Sequence, residues 1–128
     1  MKTVNIITTI FTFLILNPIF AQSNNSKEWT MFHCSPELRG FTNAKVPQKP
    51  TLKWSFKTEA AINSSPAVSD GVVFVGSDDF NIYAVNLSDG VKKWSFKTEG
   101  PAQSSPLVLN RIVYIGSDDG YLYAIDSK

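Results

Sequence analysis

Lys53–Glu59 spells Lys-Trp-Ser-Phe-Lys-Thr-Glu, and Lys93–Glu99 spells the same seven residues. The echo extends through Ser64-Ser65-Pro66 and Ser104-Ser105-Pro106, then Gly76–Asp79 and Gly116–Asp119. It closes with Tyr83-Ala84 and Tyr123-Ala124, and every match lies at an offset of 40. Aligning Leu52–Ser88 with Lys92–Lys128 leaves 18 of 37 pairs identical, and many of the rest exchange like for like, as Phe74 for Tyr114. A fixed period of this size marks a stack of supersecondary units, each too small to bury its own apolar face. That constraint precedes any residue-level clue.

Within the period the pattern is that of short strands. Leu52–Thr58 alternates, with Leu52, Trp54 and Phe56 on one face and Lys53, Ser55 and Lys57 on the other, as a half-buried strand does. Lysine on such a strand discourages pairing with foreign edges. Pro66–Ser69, Val72–Gly76, Asn81–Asn86 and Val91–Thr98 follow as strands, separated by Asp70-Gly71, Ser77–Phe80 and Asp89-Gly90 turns. The second period repeats them as Pro106–Leu109, Ile112–Gly116 and Tyr121–Asp126. Val72–Gly76 and Asn81–Asn86 carry apolar residues on both faces, so both faces must be covered. A two-sheet sandwich leaves one face of each sheet in water and would make these strands alternate. Four-stranded sheets stacked face to face around an axis satisfy the pattern, so the expected fold is all-β, a β-propeller. About one and three-quarter blades are present: an orphan outer strand at 51–58, a blade at 66–98 and a partial blade at 106–128.

The remaining sequence narrows the class of function. The net charge of +1 over 128 residues, without a basic run, argues against nucleic-acid binding through a phosphate-tracking patch. Residues 1–21 resemble a secretory signal, with Lys2, the apolar stretch Val4–Leu16, and a small residue, Ala21, at the expected cleavage point. The stretch is too short and too soon broken by Asn17-Pro18 for a stable membrane span. An exported protein, periplasmic or secreted, is expected. Residues 22–50 read as an irregular lead-in, in which Trp29, Met31, Phe32, Leu38 and Phe41 follow neither period. Cys34 is the sole cysteine and His33 the sole histidine. Cys34 has no internal disulfide partner and is expected to be a small buried hydrophobe. Adjacency alone does not make His33 and Cys34 a catalytic pair.

Trp54, Phe56, Thr58, Ser64–Pro66, Val68, Val73, Gly76–Asp79 and Tyr83-Ala84, with their counterparts 40 residues on, resemble the pyrroloquinoline-quinone-type propeller repeat. Trp29–Phe32 through Gly40 is similar to the lead-in before the first blade of such proteins. The resemblance implies that Trp54 and Trp94 pack between neighbouring blades. With Gly76, Gly116, Tyr83 and Tyr123 they are the expected blade-packing residues. Asp78-Asp79 and Asp118-Asp119 could be read as calcium ligands, but adjacent pairs do not supply the convergent oxygens calcium needs. They are expected instead to cap turns.

The function implied by the resemblance is a non-catalytic, exported scaffold for protein–protein interaction, envelope assembly or sensing. No catalytic, cofactor or metal residue is expected. A quinone- and calcium-dependent dehydrogenase is the alternative. That activity, by resemblance, calls for a Cys-Cys pair, calcium ligands and a catalytic Asp, whereas Cys34 stands alone. A carbohydrate- or peptide-binding module using Phe80 and Tyr121 is a third reading. Propellers need about 4–8 blades, so the chain is expected to be the N-terminal part of a longer ring, or to close one by self-association. Leu52–Thr58 is expected to complete a blade at the far end of such a ring, or to pair with Tyr121–Asp126.

Overall fold

The computed structural model describes residues 28–33, 45 and 47–128. The expected signal at 1–21, most of the lead-in and Cys34 lie outside the described residues. Seven strands form two antiparallel meanders. The first sheet is β1 (Ala67–Ser69), β2 (Val72–Gly76), β3 (Asn81–Asn86) and β4 (Lys92–Lys97), in that spatial order. The second is β5 (Leu107–Leu109), β6 (Ile112–Gly116) and β7 (Leu122–Asp126). The registers repeat with the sequence: Phe74 faces Ala84 across β2 and β3, and Tyr114 faces Ala124 across β6 and β7. The fold is all-β, built of propeller blades, and the ring is open.

Local chemistry explains the hairpins. Each β1–β2-type connection is a two-residue turn with both residues at positive φ, Asp70 (50°) and Gly71 (73°) in one blade, Asn110 (50°) and Arg111 (66°) in the other. Such turns match the right-handed twist of the flanking strands, and Asn, Asp and Gly tolerate the left-handed region best. Arg111 occupies it without that tolerance.

The sheets stack face to face. Ala67, Val72, Phe74 and Ala84 of the first blade meet Val108 and Val113 of the second, and all six are buried. Beside them Ile82 joins Ala102 and Ile115. The opposite face of the first blade, Val75, Tyr83 and Val85, is covered by Trp54 and Phe56. β2 and β3 are therefore enclosed on both sides, whereas β7 alternates between exposed and half-buried residues. Nothing among the described residues covers its outward face.

The lead-in is tied to the other side of the stack. Trp29 exchanges both backbone hydrogen bonds with Val68 on β1, and Thr30 accepts one from the amide of Val108 on β5. Residues 28–33 thus bridge β1 and β5, the strands at corresponding edges of the two blades.

In Leu52–Thr58 the side chains alternate as expected from Lys53 onward. Leu52, expected on the face of Trp54 and Phe56, is 85% exposed, because the covered surface of the first blade ends at Trp54. The backbone departs further. Trp54, Phe56 and Thr58 are half-buried, and Lys53, Ser55 and Lys57 are exposed. No ladder forms, however, and the expected pairing with Tyr121–Asp126 does not occur. The reason is topological: Trp54 and Phe56 lie on the face of the first blade opposite to the second blade.

Candidate functional site: the blade interface

The Trp-x-Phe pair of each outer segment lies over the next blade. Trp94 on β4 is half-buried, its ring 5.9 Å from that of Phe74, and it also packs against Ile82, Ala102 and Ile115. Its indole N–H donates to the carbonyl of Ser127 at 3.3 Å. Trp54 does the same one repeat earlier, donating to the carbonyl of Leu87 at 2.9 Å. Phe56 meets Tyr83 at 5.2 Å between ring centroids, and Phe96 meets Tyr123 at 5.4 Å. An indole buries a large area while its N–H needs one acceptor, and the outer turn of the next blade supplies it.

A carboxylate locks each of these contacts. Asp79 Oδ2 accepts from the Tyr83 hydroxyl (2.8 Å) and from the amide of Glu59 (2.9 Å), just beyond the Trp54 segment. Its Oδ1 accepts from the Asn81 amide at 3.0 Å, capping the turn. Asp119 repeats the arrangement with Tyr123, Glu99 and Tyr121. Burial pushes the Asp79 carboxyl up, but the donors from Glu59, Asn81 and Tyr83 outweigh it and hold the group below its ordinary value. The same balance lowers Asp119. Tyr83 is pushed up to about 12 by burial and by the Asp79 carboxylate that it donates to. For Tyr123 the hydrogen bond to Asp119 is the larger cause, and burial adds to it. Asp78 receives the side-chain amides of Asn63 (2.8 Å) and Gln103 (2.9 Å), which hold the same position in successive repeats.

The serines and glycines complete the joint. Ser64 Oγ donates to the Gly76 carbonyl and accepts from its amide, both at 2.9 Å. Ser104 does so with Gly116. Ser105 Oγ accepts from the amide of Ser65, so the same dipeptide of two repeats is directly linked. A Cβ on Gly76 would overlap the carbonyl of Ala102, the connection entering the second blade. Gly116 has only the Ser104 side chain near it, at 3.4 Å or more. Of the residues singled out in the sequence, Trp94 and Gly76 lie against the second blade, Trp54 and Tyr83 lie on the opposite face of the first blade, Tyr123 packs beside Ile115, and Gly116 has only the Ser104 side chain near it. Ser64, Ser104 and Thr98 were not singled out; the single hydroxyl proton of Thr98 is within reach of the Gly100 carbonyl at 2.7 Å and of the Phe80 carbonyl at 2.9 Å. Their recurrence at the same offset was the available signal.

The model of the family described as outer membrane protein assembly factor BamB matches residues 47–128. The chain belongs to this family of PQQ-like propeller repeats. Among solved structures, BamB from Moraxella catarrhalis is similar, with a TM-score of 0.54 and 17% identity over 59% of this chain and 24% of that one. Quinohemoprotein alcohol dehydrogenase ADHIIG from Pseudomonas putida HK5 gives a TM-score of 0.71 and 23% identity over 80% of this chain and 18% of that one. At these identities the likeness is one of fold. The chain spans a quarter or less of either protein's length. No curated protein matches it significantly.

One of the similar structures is a quinohemoprotein alcohol dehydrogenase, so the fit of a quinone–calcium group bears on this chain. The repeated carboxylates Asp78, Asp79 and Asp119 are engaged within the fold. Both oxygens of Asp79 and of Asp119 already accept protein donors, as do both of Asp78. Among the described residues no three His, Cys, Asp or Glu side chains gather as a metal site, and no buried side-chain polar atom lacks a partner. No helix among them is long and apolar enough to cross a membrane. Phe80 and Tyr121 sit on the β2–β3 and β6–β7 turns, 40% and 67% exposed. His33 stacks edge-on against Phe32 at 4.1 Å.

Proposed function

We propose that the chain is part of an exported, non-catalytic β-propeller acting as a protein-interaction scaffold in envelope assembly. The observation that carries this reading is the use of the repeated polar side chains. Asp79, Asp119, Ser64, Ser104 and Thr98 each bond to backbone or to a neighbouring repeat, so the recurring motif builds blades. The family description, an outer membrane protein assembly factor, gives the scaffold its direction. Export rests on the signal-like residues 1–21.

Two measurements test this. A fusion of residues 1–21 to a phosphatase active only outside the cytoplasm should be active, and an inactive fusion overturns export. Loss of the protein from its source cells should lower the amount of assembled outer-membrane proteins, and an unchanged amount overturns the assembly role. The dehydrogenase reading predicts instead that pyrroloquinoline quinone with calcium binds the purified chain and supports alcohol-dependent dye reduction. Saturable sugar binding abolished by Tyr121→Ala would favour the third reading.

A further inference from the structure

Three Asp-Gly peptides occur in the chain, Asp70-Gly71, Asp89-Gly90 and Asp119-Gly120, and all three lie in turns with the glycine at positive φ. An aspartate followed by glycine is open to one intramolecular reaction, because glycine has no side chain to shield its amide nitrogen. That nitrogen attacks the side-chain carbonyl carbon, Cγ, of the protonated aspartate. The reaction asks three things of its surroundings: a carboxyl free to turn, an amide without an acceptor, and room for the backbone to rotate.

Two of the three peptides are locked. Asp89 accepts from the Val91 amide at 3.0 Å and from the Asn86 side-chain amide at 3.3 Å. The Gly90 amide donates to the Asn86 carbonyl, and the Trp54 ring lies 2.8 Å from where a Gly90 Cβ would stand. Asp119 accepts from Tyr121, Tyr123 and Glu99, and the Gly120 amide donates to the Ser117 carbonyl at 3.1 Å. Asp70-Gly71 is held by neither kind of bond. Among the described residues nothing donates to the Asp70 carboxylate or accepts from the Gly71 amide. Both residues are exposed, and a Cβ on Gly71, as on Gly120, would meet nothing within 4 Å. Only Asp70-Gly71 meets all three requirements.

We propose that Asp70-Gly71 is a modification site of the folded chain, at which Asp70 cyclises to a succinimide and reopens as isoaspartate. A bond forms between Gly71 N and Asp70 Cγ, the bond from Cγ to its hydroxyl breaks, and the amide proton leaves with that hydroxyl as water. A second water then adds to the main-chain carbonyl carbon of Asp70 and breaks its bond to Gly71 N. The chain now runs through Cβ and Cγ, with the freed main-chain carboxyl as a side group. Water is the sole co-reactant. The product places one more atom in the main chain of a two-residue hairpin turn, whose Gly71 carbonyl accepts from the Leu87 amide at 2.9 Å. Isomerisation therefore loosens the bond by which the β1–β2 turn holds the β3–β4 turn of the same blade.

The test is incubation of the full-length folded chain in heavy-oxygen water at mildly acidic pH, then proteolysis in ordinary water and mass spectrometry. Each ring opening leaves one heavy oxygen in the peptide concerned. Breaking a charge-assisted hydrogen bond before attack slows the reaction about tenfold. About tenfold more label is therefore expected at Asp70 than at Asp89 or Asp119, in a peptide that splits into two chromatographic isomers. In concentrated urea, where the fold is gone, the three peptides should label at similar rates. Asp70→Glu, whose longer side chain closes its ring far more slowly, should abolish the label at that position with the circular dichroism unchanged. Label at Asp70 no greater than at Asp89 and Asp119 in the folded chain, a labelled peptide that does not split, or the same excess at Asp70 in urea overturns the proposal.

Discussion

Gly76 and Ala102 touch backbone to backbone across the blade joint, so closely that Gly76 has no room for a Cβ. At the same strand end 40 residues on, a Cβ on Gly116 would meet only the Ser104 side chain, at ordinary contact distance. Gly76→Ala must push the two blades apart, and overpacking of this kind costs about 1–3 kcal/mol. Gly116→Ala should stay within about 0.5 kcal/mol of the parent, as substitutions away from packed features do. Urea unfolding at low protein concentration checks the contrast. Equal midpoints for the two variants would show that the joint is not tight.

Trp94 combines packing with one hydrogen bond, and the two parts can be separated. Trp94→Phe keeps a ring against Phe74 and Ile115 and loses the bond to Ser127, so a cost of about 1 kcal/mol is expected. Trp94→Ala empties the joint as well. Full burial would put that change at about 3–5 kcal/mol, and the half-exposed ring should bring it to the lower end. Denaturant midpoints of both variants against the parent decide the split.

Much of this was legible in the sequence because the repeat and the strand period agree. Val72–Gly76 and Asn81–Asn86 carried apolar residues on both faces, and both strands are enclosed between layers. The Trp and Tyr positions declared themselves by recurrence. Less legible was anything requiring a second element. Asp79 offers its turn the expected cap, but its bonds to Glu59 and Tyr83 span different parts of the fold. The anchoring of Trp29 on Val68 involves a bridge between segments 39 positions apart that no local period marks. Leu52–Thr58 has the alternation of a strand, yet a strand also needs a neighbour, and alternation does not provide one.

Arg111 stands in the left-handed region at φ 66°, where the first repeat has Gly71 at 73°. The conformation costs a non-glycine residue about 1–2 kcal/mol, while glycine adds about 0.5–1 kcal/mol of unfolded-state entropy. Arg111 is exposed, so little packing is lost with it. Arg111→Gly should therefore stabilise the chain by up to about 1 kcal/mol, measured as a raised urea midpoint with unchanged slope. Gly71→Arg should move the midpoint the other way.

The Asp79–Tyr83 bond makes stability depend on pH at both extremes. Asp79 is held below its ordinary value of 3.8 in the fold, so its contribution is complete above that pH and is lost as pH falls below it. Tyr83 is raised from 10.0 to about 12, so the folded chain keeps a proton that the unfolded chain releases. Its contribution is complete below pH 10 and disappears as pH rises through 12. Between these limits the bond contributes a plateau. Tyr83→Phe should lower that plateau, because Asp79 loses a donor, and should flatten the fall between pH 10 and 12. Asp119–Tyr123 shifts in the same directions, but on the open blade its partner ring is freer to meet water, so Tyr123→Phe should change the alkaline limb less. Chemical unfolding at intervals from pH 3 to 12 resolves both limbs. An alkaline limb as steep in Tyr83→Phe as in the parent would mean that the phenol ionises alike in both states and that the bond does not hold the joint.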